Sequence, residues 1–113
     1  YRNNLERHET GCRITGITDK RFLTASHIKP WAKSNDFEKL DGNNGLLLSP
    51  HIDRLFDRGY ISFQDNGQLI FSPSLPSDVM TAWGLNNPAK VKPLTNKQSF
   101  YMNFHRSEIF RHG

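Results

Sequence analysis

The chain has one cysteine, Cys12, among its 113 residues. A single thiol excludes an intrachain disulfide and a paired-cysteine zinc knuckle, so the fold has to close by packing, and the usage fits a reducing, cytoplasmic setting. Long apolar runs are missing too. Stretches such as Leu46-Leu47-Leu48 and Leu69-Ile70-Phe71 fall far short of the ~20 residues a membrane-spanning helix needs. No basic start leads into an apolar segment and a small-residue cleavage site, so no stretch of these residues reads as a targeting segment. Internal repeats, low-complexity tracts and polybasic tails are also absent. The first residue is Tyr1 rather than methionine; the expectation is one soluble domain over residues 1–113, cut from a longer protein.

Fifteen Lys and Arg stand against eleven Asp and Glu, a formal charge of +4, with a pI near 9.5. The basic residues are dispersed, so an anionic partner would have to meet the folded surface rather than a tail.

Local chemistry punctuates the chain. Tyr1 to Glu9 reads as a short polar helix anchored by Leu5 and ended at Thr10-Gly11. Cys12-Arg13-Ile14 and Phe22-Leu23-Thr24-Ala25 read as the two strands of a hairpin, with His27 just past the second. Pro30 to Asn44 reads as a long connection whose apolar anchors are Trp31, Phe37 and Leu40. Ser49-Pro50 is a helix start, serine at the N-cap and proline at the first helical position. The helix to Asp57 would bury Ile52, Leu55 and Phe56 and stop at Gly59. Asn66-Gly67 predicts a second hairpin between Tyr60–Phe63 and Gln68–Phe71. Ser77 to Trp83 predicts a helical turn or two, and Lys97 to Arg111 a C-terminal helix packed on the hairpins.

One constellation carries chemistry: His27 at a strand end, Asn44 at the exit of the long connection, and His51 one turn into a capped helix. Phosphodiester hydrolysis needs a base for water and a cation for the charge developing on the phosphoryl and leaving oxygens. An unperturbed imidazole, with a pKa of about 6.5, accepts a proton at physiological pH, and a second imidazole can hold a metal. An asparagine amide donates and accepts at once, which suits it to pinning a loop. Asn43 and Asn44 both precede Gly45 in ordinary turn chemistry; register with the motif favours Asn44.

The stretches "SHIKPW", "NNGLLLSPHIDRLFDRGYISF" and "DNGQLIF", roughly residues 11 to 72, resemble the HNH endonuclease superfamily, in the subgroup with a Ser-Pro-His-Ile-Asp helix. The resemblance implies an α+β fold with a ββα-metal core, flanked here by a second hairpin and by N- and C-terminal helices. It also implies a metal-dependent endonuclease cutting DNA, of the restriction type, with a recognition domain upstream. His27 resembles the general base, Asn44 the ordering asparagine and His51 the metal ligand. Lys29 and Lys33 flank the base and are candidates for tracking a DNA backbone, and Arg54, at i+3 from His51, for reaching a phosphate.

The chain departs from the family pattern at Ser26, where many HNH nucleases carry an aspartate or histidine ligand. A hydroxyl is a poor ligand for Mg2+. Metal binding would then rest on His51 with waters, phosphate oxygens and a further group that the motif does not identify. Mg2+ is the expected ion and Mn2+, Ni2+ or Zn2+ the alternatives. Asp53 and Asp57 read as helix-start and salt-bridge residues. Two rivals share these residues: a non-cleaving nucleic-acid-binding module, and a bacteriocin-type toxin nuclease partnered by an acidic immunity protein. A symmetric homodimer is one route to a double-strand break.

Overall fold

Leu46-Leu47-Leu48 shows no apolar–polar alternation, as expected of a strand covered on both faces. In the computed structural model, which describes residues 1–113, the run lies in β2 (Gly45–Leu48), and every residue of β2 is buried. β2 pairs antiparallel with β1 (Thr24–His27), so that Ser26 opposes Leu46 and His27 opposes Gly45. Side chains alternate across the two faces. Helix α3 (Pro50–Asp57) packs against β1 and meets Ser26 from one face. The single-turn helix α1 (Arg2–Leu5) packs against β2, and Tyr1 beside it meets His27 from the other face. β1, β2 and α3 form the expected ββα core of an α+β fold.

The first sheet is not the hairpin expected from the sequence. Arg13–Thr15 is instead a tight turn, closed by Gly16 N–H donating to Cys12 O. The alternation at Arg13 misleads because this arginine is itself buried, paired with Glu9 at 2.9 Å and donating to Lys92 O. Gln98 completes the cluster by donating to Glu9, which ties the N-terminal segment to the C-terminal one.

The long connection also differs from expectation. It contains a 3-10 turn at Trp31–Lys33 and helix α2 (Asp36–Leu40), opened by a reciprocal capping box between Asn35 and Glu38. Its three apolar side chains anchor nothing: Trp31, Phe37 and Leu40 are 60%, 73% and 64% exposed. Polar contacts hold the segment instead, chiefly Lys29 to the Glu38 carboxylate at 3.0 Å and the buried side chain of Asn44.

The remaining elements follow their local signals. Ile52, Leu55 and Phe56 of α3 are buried, and Gly59 ends that helix with φ +79, a left-handed conformation that favours glycine. Strands β3 (Ile61–Phe63) and β4 (Leu69–Phe71) form the second hairpin. Helix α4 (Ser77–Ala82) precedes a loop and then α5 (Asn96–Phe104), which is capped by Thr95 and Gln98 and continues into a π-helical turn at His105–Ile109. No helix is long and apolar enough to cross a membrane.

His105 fastens this tail to the core. Its ring stacks on Phe56 with centroids 3.9 Å apart. Nε2 donates to Phe56 O at 2.8 Å, and Nδ1 accepts from the Ser62 hydroxyl at 2.8 Å. Burial pushes its pKa down to about 4. An unfolded histidine, with a pKa of about 6.5, binds its proton earlier as pH falls, so the folded state loses stability between about pH 6.5 and pH 4. The slope attributable to this residue approaches about 1.4 kcal/mol per pH unit. Urea denaturation at pH 7, 5.5 and 4 should show that dependence in the wild type and a shallower one in His105→Gln. Parallel curves would remove His105 as the acid-sensitive group.

Candidate active site

Ser26 and His27 are neighbours on β1 and therefore point to opposite faces. On the α1 side, the half-buried His27 ring stacks on Tyr1, with centroids 4.0 Å apart and planes 10° from parallel. His27 Nε2 lies 2.9 Å from Lys39 O in α2. A carbonyl only accepts, so Nε2 carries the proton and, in the neutral ring, the lone pair sits on Nδ1. The ring is thus held in one tautomer and one orientation, with its basic nitrogen free of the Lys39 contact.

Tyr1 fits there because residue 45 is glycine. A Cβ on Gly45 would lie 2.2 Å from the Tyr1 hydroxyl and 3.0 Å from the Leu5 side chain. That hydroxyl donates to Asn44 O at 2.7 Å, and burial, with the Asp41 charge adding to it, holds its pKa well above the usual phenol value. Gly45→Ala should therefore displace Tyr1 and cost about 1–3 kcal/mol of stability. In urea melts the double variant Tyr1→Ala/Gly45→Ala should recover part of that loss relative to Tyr1→Ala; strict additivity would show that the two positions do not compete for space.

Asn44 is 0% exposed and uses its whole amide. Oδ1 accepts from Lys29 N–H at 2.8 Å, and Nδ2 donates to Glu38 O at 3.1 Å. It ties the start of the long connection and α2 to the residue at its exit, whereas the Asn43 amide bonds Asp41. The carbonyl that orients His27 belongs to the same pinned segment.

On the opposite face, the Ser26 hydroxyl donates to Asp53 of α3. Asp53 is half-buried and forms no salt bridge; desolvation raises its pKa against the Ser26 hydrogen bond, and the nearby Asp57 charge adds to the rise. His51 does not join this pair. Residues two apart on a helix lie about 200° around its axis, so the two flank the buried Ile52–Leu55–Phe56 stripe on opposite sides. His51 meets the edge of Trp83 instead, with centroids 5.5 Å apart. The ligand position expected at His51 is thus turned away from Ser26, and the residue set aside from the sequence, Asp53, is turned towards it.

The basic candidates also separate. Lys29 is engaged by Glu38, whose pKa is lowered by its hydrogen bonds to Asn35 and Lys29, so it buttresses the connection. Lys33 and Arg54 are exposed and form no salt bridge. Sequence reasoning missed Tyr1 and Lys39 because each acts from outside the motif, Lys39 through its backbone, and no side-chain pattern announces a backbone role.

With the ββα geometry and its ordered histidine in view, the comparison with known families is direct: a family model described as HNH endonuclease matches residues 12–64. The match supports the HNH endonuclease superfamily. The matched stretch contains β1, α2, β2, α3 and β3, and with them His27, Asn44 and Asp53. No curated protein matches the chain.

No cluster of three or more His, Cys, Asp or Glu side chains forms a ready-made metal cage. The donor set where β1 meets α3 is one carboxylate and one hydroxyl, Asp53 and Ser26. That set fits a hard cation such as Mg2+, which commonly takes only one or two carboxylates and completes its shell with water and substrate phosphate oxygens. It does not fit a structural Zn2+ site, which wants four protein ligands.

Proposed function

We propose that this chain is a divalent-metal-dependent endonuclease that hydrolyses DNA phosphodiesters, the cleavage domain of a restriction-type enzyme acting in the cytoplasm. The observation that carries the reading is the His27 Nε2 to Lys39 O contact at 2.9 Å, which commits the neutral ring to a basic Nδ1. His27 takes a proton from water at Nδ1. The water oxygen forms a bond to phosphorus, the bond from phosphorus to the 3′ oxygen breaks, and the departing oxygen is protonated from solvent. Asn44 keeps the long connection, and with it Lys39 O, in register with His27. Asp53, with Ser26, would hold a divalent ion in place of His51; when bound, such an ion supplies stabilisation of charge on the phosphoryl and leaving oxygens. Arg54 and Lys33 are left as exposed cations for the DNA backbone.

The test is nicking of supercoiled plasmid in Mg2+, Mn2+, Ni2+ and Zn2+ in turn. Conversion to the nicked form in at least one ion, abolished by chelator, is expected. Gel shift of DNA with no cleavage in any ion would favour the binding module instead. A homodimer would reveal itself by direct linearisation.

A further inference from the structure

The face of β1 that carries Ser26 also carries Thr24, and beside Thr24 opens a cleft of about 430 Å³ with Ile17, Arg21, Phe22, Pro50 and His51 among its walls. No acidic side chain lines it. We infer that this cleft receives the nucleobase flanking the scissile phosphate, in an unstacked conformation; the inference rests on the nuclease reading and extends it to the form of substrate.

Three observations converge. The first is the chemistry of the walls. Phe22 sits in a 3-10 turn, Lys20–Phe22, and is 59% exposed, presenting a flat apolar face with the Arg21 guanidinium 5.4 Å from its centroid. Thr24 and His51, both half-buried, add polar groups that are not consumed by the chain's own side-chain hydrogen bonds, whereas Ser49 on the same wall is bonded to Thr15 at 2.7 Å. An aromatic face bordered by free donors and acceptors suits a planar ring with polar edges.

The second is distance. Thr24 and Ser26 are two residues apart on an extended strand, about 7 Å, a span that one nucleotide covers when it is unstacked. A phosphate bound to a divalent ion held at Asp53 and Ser26 would therefore place a neighbouring base over Phe22. The third is the support behind His51. Trp83 holds the ring edge-on, with planes at 84°, so the imidazole is presented to the cleft from a fixed position. A base still paired in a duplex cannot offer its face to Phe22. The cleft therefore selects single-stranded DNA, or duplex that opens at the cut.

The experiment reads binding apart from cleavage. In a His27→Ala/Trp31→Phe background Trp83 is the one remaining tryptophan, and its fluorescence reports a single-stranded oligodeoxynucleotide of about a dozen residues. Phe22→Ala should weaken binding about 5- to 150-fold, the range for loss of one base–aromatic stack. An oligonucleotide scanned with abasic positions should show one position with a similar loss, and that loss should vanish in Phe22→Ala. His51→Ala should weaken the same position. Unchanged binding in Phe22→Ala, or an abasic loss that adds fully to it, would overturn the assignment. Wild-type nicking is measured separately. Nicking that persists without Phe22 dependence removes the cleft alone, whereas Phe22-dependent binding without nicking keeps the cleft and removes the nuclease reading.

Discussion

Replacing His27 with alanine should lower divalent-dependent plasmid nicking by about 10²- to 10⁴-fold, the usual contribution of a positioned general base. Two roles have to be separated, since the ring also stacks on Tyr1 and bonds Lys39 O. His27→Gln separates them: its amide can still donate to the carbonyl, but it cannot take a proton from water. Both variants should therefore lose nicking alike, with His27→Gln the more stable in thermal melts. Added imidazole should restore part of the activity of His27→Ala, because truncation leaves a ring-sized space beside Tyr1. Full nicking by either variant would sink the mechanism. Activity retained by His27→Gln alone would make His27 an organiser of α2 and not a base.

How far the molecule was legible from its residues depended on the range of the forces involved. The start of α3 at Ser49-Pro50, the Asn66-Gly67 hairpin and the buried Ile52–Leu55–Phe56 stripe are local chemistry, and each formed where the residues put it. The partner of β1 is a long-range choice. Cys12–Ile14 alternates as a strand does, yet Glu9 neutralises Arg13 in the interior, a contact no periodicity announces. Helix α2 was readable in principle, because Asn35 and Glu38 have capping-box spacing; the polar composition around them hid it. The exposure of Trp31, Phe37 and Leu40 was not readable, since apolar residues in a loop look like anchors until their surroundings are known. At the candidate site, the positions of His27 at a strand end and of Asn44 at the loop exit could be read, because local chemistry fixes both. The side of α3 that faces Ser26 could not, because His51 and Asp53 border the same buried stripe and only the seating of the helix on β1 chooses between them.

That choice yields the second large effect. If Asp53 holds the ion, Asp53→Asn should raise the Mn2+ concentration for half-maximal nicking by at least about 10- to 100-fold, the loss that follows removal of a mere outer-shell partner. His51→Ala should leave that concentration unchanged while altering oligonucleotide binding. A readout free of activity comes from thermal unfolding, since an ion that binds only the folded chain raises its Tm with concentration. Mn2+ should stabilise the wild type and His51→Ala equally and Asp53→Asn much less. Ser26→Asp sharpens the test: two carboxylates in contact repel and lower stability without metal, and the same pair should then give a larger Mn2+ response than the wild type. An isolated salt-bridge or capping role for Asp53 predicts no such gain. A Mn2+ response lost in His51→Ala and kept in Asp53→Asn would return the ligand to His51 and would require α3 to turn about its axis when the ion binds.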